Sequence, residues 1–125
     1  MSVPMEFKNQ KPIYLQIADH ICDRIVLGEY KEDERLPSVR EFAAEVEVNV
    51  NTVTRTFEYL QQNGVVASRR GLSVFVMPGA RETVYAMRRA EFFNVQLPEV
   101  FALMDTLGIS MEEVASQYGA SGHAT

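Results

Sequence analysis

Apolar residues near the start of the chain repeat at helical spacing. Ile13, Ile17, Ile21 and Ile25 recur at every fourth position, with Tyr14, Ala18 and Cys22 one step round the same face. A stripe that broad predicts a helix over residues 12–28 with one side against a core. Pro12 suits its first turn and Gly28 its end. Residues 29–35 (EYKEDER) carry no such pattern and read as a polar connector. Ser38-Val39-Arg40-Glu41 matches a capping box, in which the serine side chain accepts from the third helical amide and the glutamate reaches back. The helix it opens is expected to end near Val46 and to bury Val39, Phe42, Ala43 and Val46. A short turn, EVEVN, follows. Asn49 is a good N-cap for a third helix ending near Asn63, with Val53, Phe57 and Leu60 inward. Gly64 stops it, because glycine takes the left-handed conformation without a steric penalty.

Beyond Gly64 the period changes. Val65–Ala67 and Ser73–Met77 predict two short strands around the basic turn SRRGL, which together read as a β-hairpin. Pro78-Gly79 marks the expected boundary between a domain over 1–78 and a small helical region over 79–125. In that region Val84, Met87, Ala90 and Phe93 predict a helix over 81–94. Pro98 suits the first turn of another, closed by Gly108. Ser110-Met111-Glu112-Glu113 is a second capping box, opening a short helix to Tyr118, and the tail GASGHAT is expected to fray. The class predicted is mainly α with a small β-hairpin.

Composition narrows the function more than the fold. At 125 residues the chain is too short for a TIM barrel, which needs roughly 250. The formal charge of -5 excludes an indiscriminate polyanion binder, but nucleic-acid binding depends on where the positive charge sits. A single cysteine cannot form an intramolecular disulfide, and two histidines make a structural zinc site a poor fit. Neither His20 nor His123 is assigned to a metal, and Cys22 reads as a small hydrophobe rather than a redox sensor. The N-terminal run MSVPMEFKNQKP has no apolar segment or small-residue cleavage site, and no stretch of about 18 apolar residues occurs. The expectation is a cytoplasmic protein in a reducing compartment with no membrane partner. No nucleophile–base pair, metal-ligand spacing or phosphate-cradling glycine loop suggests an enzyme, and no cofactor is expected.

Helix, helix, turn, helix, hairpin with a basic tip is the order of a winged helix-turn-helix, whose third helix presents its first residues to base edges in the major groove. The blocks PIYLQIADHI, RLPSVREFA, VNVNTVTRTFEYL and RRGLSVFV, in that order over about residues 11–77, resemble the GntR family of bacterial transcription regulators. The C-terminal FFNVQLPEVFALMDTLGISMEEV is similar to the YtrA-type subfamily. That resemblance implies a short α-helical dimerisation region in place of a larger effector domain.

The resemblance implies a DNA-binding face built from Arg35, Ser38, Arg40, Asn49, Val50, Asn51, Thr52, Thr54, Arg55, Arg69, Arg70 and Gly71. Phosphate contacts position a protein on DNA and base contacts specify the sequence. Asn51 suits bidentate pairing with adenine, and Thr52 suits phosphate or base. Arg40, Arg55, Arg69 and Arg70 supply charge, expected to converge along one rim, with Arg35 as a further phosphate contact, and Gly71 lets the wing turn closely. The chain departs from the family where many members carry arginine, at Val50 and Thr54. Val50 either packs on a thymine methyl or extends the Val53–Phe57–Leu60 stripe into the core. Asn49 is either a helix cap or a base reader. Arg40 alone would read as an ion-pair partner of a neighbour such as Glu45, and Arg69-Arg70 alone as a solvated hairpin tip. Between residues 35 and 77 five arginines meet only Glu41, Glu45, Glu47 and Glu58, which predicts a local positive face and salt-sensitive binding.

The C-terminal helices carry Phe92, Phe93, Leu97, Val100, Phe101, Met104 and Leu107, more apolar surface than a helical hairpin of that length hides on itself. A two-fold interface between identical chains resolves this, and a dimer matches a (pseudo)palindromic site with half-sites about 10 bp or a multiple apart. A small-molecule effector could lodge between subunits in a cleft lined by Phe92, Phe101 and Met104. The reading is a sequence-specific regulator of transcription, a repressor acting as a homodimer on a double-stranded DNA operator. The competing class is a protein-interaction adaptor that uses a winged-helix module without DNA.

Overall fold

The computed structural model describes residues 11–69 and 73–123. The elements in chain order are α1 (Ile13–Val26), α2 (Val39–Val46), α3 (Val50–Gln62), β1 (Val66–Arg69), β2 (Ser73–Val76), α4 (Ala80–Glu91), α5 (Leu97–Leu107) and α6 (Met111–Tyr118). The chain is mostly helical, with β1 and β2 forming an antiparallel hairpin. It divides into two compact units, residues 1–86 and 87–125. The division falls inside α4, beyond Pro78-Gly79, because Ala80 and Val84 are fully buried and count with the first unit.

In the first unit α1 and α2 each pack against α3. The isoleucine stripe delivers Ile17, Ala18, Ile21, Cys22 and Ile25 to the core, where they meet Phe42 and Ala43 of α2 and Val53, Phe57 and Leu60 of α3. Phe42 and Phe57 lock α2 to α3 edge-to-face, their centroids 6.1 Å apart. Both helix starts are capped by side chains. Ser38 Oγ accepts from the Glu41 amide at 3.1 Å while Glu41 Oε1 accepts from the Ser38 amide at 2.9 Å. Asn49 Oδ1 accepts from the Asn51 amide at 2.7 Å. Between them the turn pivots on Glu47, a non-glycine residue in the left-handed region at φ 59.

The hairpin differs from expectation in two ways. Ser68 and Arg69, expected in the turn, continue β1, where they pair with Val74 and Ser73. The polar connector also joins the sheet. Arg35 bridges Phe75, the Asp33 and Leu36 amides donate to Val76 and Val74 carbonyls at 2.8 Å each, and the Val76 amide donates to Glu34 O at 3.0 Å. The free edge of β2 offers backbone partners, and a strand edge recruits them whatever the side chains are.

In the second unit the chain does not break between α4 and α5. The expected separate helices, 81–94 and another from Pro98, are joined by a wide π-type turn over Phe92–Gln96, in which the Leu97 amide donates to the Phe92 carbonyl five residues back. Pro98 lacks the amide an α-helix needs at that point, and the widened turn gives its ring room. Gly108 then ends α5 at φ 69, and Ser110 with Glu113 caps α6 as expected. Beyond Tyr118 the chain continues over Gly119–His123 with a kink at Gly122, which lies in the left-handed region at φ 86. Met104 is the buried apolar side chain of this unit, whereas Phe93, Leu103 and Leu107 are 53–60% exposed.

Candidate nucleic-acid interface

The first turns of α3 separate two faces. Val53, Thr56, Phe57 and Leu60 are all within 3% of full burial, while Asn51 and Arg55 are exposed and Thr52 and Thr54 half-buried. Val50 is 39% exposed, so it does not extend the stripe into the core. Its place in the first turn, before the helix settles onto α1 and α2, leaves its side chain at the surface. Asn49 is a cap in fact, since its side-chain oxygen already accepts from Asn51.

The N-terminus of α1 frames this turn. The Arg55 guanidinium lies 4.2 Å from the Tyr14 ring centroid, a cation–π contact, and Tyr59 meets Tyr14 edge-on at 6.2 Å. Thr56, fully buried, donates its hydroxyl to the Tyr14 carbonyl at 2.8 Å and lies 3.1 Å from the Thr52 carbonyl. Pro12, Ile13, Tyr14, Asn51, Thr52 and Arg55 line an open cleft of about 290 Å³. Tyr14 and Thr56 hold Arg55 and the helix start in place, and sequence reasoning had not singled them out. The available signal was an aromatic one step off the isoleucine stripe and a threonine in register with Val53 and Leu60.

A second group surrounds the start of α2. Arg40 is exposed, and among the described residues it makes no ion pair, with Glu45 or any other carboxylate. Ser38 is occupied by the capping box. Glu41 is held below the usual carboxylate range, first by the Ser38 amide, then by the Ser38 side chain, with Arg35 contributing.

The wing forms a third group. Arg69 is not a free cation: its Nη2 sits 2.7 Å from Asp33 Oδ1, and its guanidinium lies 4.7 Å from the Phe75 centroid. Asp33 stands just before the stretch in which positive charge was expected to prevail. Arg70 and Gly71 lie outside the described residues. The contacts therefore gather the residues into clusters at α3, α2 and the wing. In the second unit Phe92 and Phe93 meet edge-on at 5.1 Å, and Phe92, Phe93, Val100, Phe101 and Leu107 are exposed, with Leu97 half-buried. Met104, expected with Phe92 and Phe101 as a cleft lining, is buried at 8% exposure, unlike those two phenylalanines.

Two helices joined by a tight turn, the second exposing its first residues, followed by a paired hairpin, define a winged helix-turn-helix, the DNA-reading class. Residues 13–76 match the family model of bacterial regulatory proteins, gntR family. The chain is 46% identical over 109 residues to the uncharacterized HTH-type transcriptional regulator YhcF of Bacillus subtilis, covering 87% of this chain and 88% of that one. It is 25% identical over 112 residues to the HTH-type transcriptional repressor YtrA of the same organism, covering 90% and 85%. A GntR-family structure from Bacteroides thetaiotaomicron superposes with a TM-score of 0.75 at 44% identity, covering 87% of this chain and 95% of that one. YtrA from Sulfolobus acidocaldarius, a GntR-family transcription factor, does so with a TM-score of 0.56 at 30% identity, covering 97% and 95%.

The chain belongs to the GntR family and, within it, to the YtrA-type subfamily. It is a DNA-binding transcription regulator, and its relatives are regulators rather than enzymes. Among the described residues no helix is long and apolar enough to cross a membrane.

Proposed function

We propose that the chain is a repressor that grips a (pseudo)palindromic operator as a homodimer. The observation that carries this reading is the sidedness of α3. Its first two turns expose Val50, Asn51 and Arg55, while the opposite face is within 3% of full burial. In the groove, Asn51 pairs with an adenine edge, Val50 packs on a thymine methyl, and Thr52 and Thr54 reach phosphate or base. Arg55, steadied by Tyr14, and Arg40, presented by the Ser38 cap, take flanking phosphates. Arg35 and the wing residues Arg69, Arg70 and Gly71 follow the backbone beside the groove. The repressor sense is supported by the Bacillus subtilis relative YtrA, itself a transcriptional repressor.

A single winged module covers about 600–1,000 Å² of DNA, and specific operators call for a pair. The second unit supports the pair, because side chains such as Phe93, Leu103 and Leu107, 53–60% exposed, form apolar surface that a second copy would cover.

The test starts by enriching a duplex from a random-sequence library with the wild-type protein. Binding to it is then followed by fluorescence anisotropy for Arg40→Ala and Asn51→Ala. Arg40→Ala should weaken binding to all sequences alike and flatten the salt dependence. Asn51→Ala should cost about 1–3 kcal/mol and relax the preference at one base pair. Wild-type affinity in both variants would show that another face reads DNA. A dimer that retains no duplex at low salt would favour the adaptor reading.

A further inference from the structure

Arg69, at the end of β1, reaches across β2 to the connector on its far side. Ala67 and Arg35 flank Phe75 in the sheet, and Arg69, two residues from Ala67, shares the face of the Phe75 ring. Its guanidinium stacks at 4.7 Å from that ring and reaches Asp33 Oδ1 at 2.7 Å. The loop that offers the carboxylate is fixed in an uncommon shape. Asp33 sits at φ 64, in the left-handed region a non-glycine residue seldom adopts. Such a conformation persists where the surroundings impose it. Here the Asp33 amide donates to Val76 O at 2.8 Å, and the Lys31 amide donates to Glu34 Oε1 at 2.8 Å. The Glu34 amide donates to Lys31 O at 3.0 Å, and Glu32 Oε2 accepts from the Gly79 amide at 3.0 Å. The loop is thus tied at both ends, and its carboxylate is aimed at the wing cation.

The geometry points to Asp33 as an affinity-limiting residue, whose carboxylate competes with DNA phosphate for the Arg69 guanidinium. Arg69 leaves Asp33 only where a phosphate arrives in the right place, so contact with DNA is an exchange of one anion for another. Both side chains are exposed, at 43% and 60%, so the exchange takes place in solvent and needs no unfolding of the wing. This inference rests on the wing lying against DNA. Asp33 touches the cation and not the DNA, and so acts as a positioning residue.

Asp33→Asn is the probe, since asparagine tolerates the left-handed region as well as aspartate does, keeps the side-chain shape and removes the charge. On the enriched duplex at low salt, Asp33→Asn should bind about two- to fivefold tighter, as expected when an exposed ion pair no longer competes. The slope of log affinity against log salt should steepen, because the wild type frees an Asp33 carboxylate that takes up a cation on binding and the variant does not. In an Arg69→Ala background the same change should have no effect. Unchanged or weaker binding by Asp33→Asn, with an unaltered slope, overturns the exchange. So does equal tightening in the Arg69→Ala background, which would mark a general loss of negative charge. Arg40→Ala and Asn51→Ala serve as the control. If they weaken binding while Asp33→Asn fails to tighten it, only the exchange falls. If the wild-type protein retains no duplex, the DNA reading of the wing falls and the exchange falls with it.

Discussion

Replacing Asn49 separates a cap from a base reader. The Asn49 side-chain oxygen accepts from the Asn51 amide at 2.7 Å and ties down one of the amides left unpartnered at the start of α3. Alanine removes that acceptor. The expected cost is about 1 kcal/mol within a range of roughly 0.5–2, and serine, an equally good cap, should cost almost nothing. The same turn displays Val50, Asn51 and Thr52, so a loosened cap reduces the fraction of molecules holding it ready. Affinity scales with that fraction, so about 1 kcal/mol sets a ceiling of roughly fivefold on the loss of DNA binding. Urea unfolding at fixed protein concentration gives the stability term, since a dimer shifts its midpoint with concentration. Anisotropy on the enriched duplex gives the affinity. Asn49→Ala should lose about 1 kcal/mol and no more than fivefold in affinity, and Asn49→Ser should match the wild type in both. If Asn49→Ser keeps full stability yet binds DNA as poorly as Asn49→Ala or worse, the amide group contacts the operator and the cap account of this residue is wrong.

Other positions yield further expectations. Thr56→Val removes the fully buried hydroxyl that ties α3 to the Tyr14 carbonyl, and should destabilise by about 1 kcal/mol in urea unfolding; equal or greater stability would contradict the tie. Glu47→Gly, at φ 59, relieves a left-handed non-glycine residue and should raise stability by up to about 1 kcal/mol, with a lower melting temperature counting against strain there. Glu41 has its folded pKa below the unfolded one, so its contribution is complete above the unfolded value and fades as pH falls through the folded value. Glu41→Gln should therefore flatten the acid limb of a stability–pH curve, and an unchanged limb would mean that the Ser38 hydrogen bonds do not stabilise the carboxylate. Phe101→Asp, at a side chain 44% exposed, should leave the fold intact and yield a monomer by light scattering; a persistent dimer places the interface elsewhere.

What was legible in the sequence was local. The caps at Ser38, Asn49 and Ser110 follow from side chains acting on amides two or three residues away, and all three form. The isoleucine stripe of α1 showed its buried face from Ile17 to Ile25 directly, because a helical period needs no knowledge of the partner, whereas Ile13, at the helix start, is 50% exposed. The rest depended on groups far apart in the chain. The run EYKEDER has none of the β-branched pattern of a strand, and it pairs because β2 has an open edge. Arg69 looked like free charge until Asp33, 36 residues away, proved to hold it. Pro98 read as a helix start because the proline rule is local, whereas a wider turn keeps the helix going. At α3 the split between Val50 outside and Val53 inside was open from spacing alone, since a first turn has not yet committed its phase.

The wide turn over Phe92–Gln96 has a consequence for how this segment can change over time. A π-type turn is an α-helix with one surplus residue, and each residue turns the helix by about 100°. Losing one amino acid there would swing Val100, Phe101 and Leu103 to a new bearing relative to Phe92 and Phe93 without ending the helix. A gene encoding this chain can therefore re-aim an apolar surface through a single codon deletion, while the winged helix-turn-helix stays as it is.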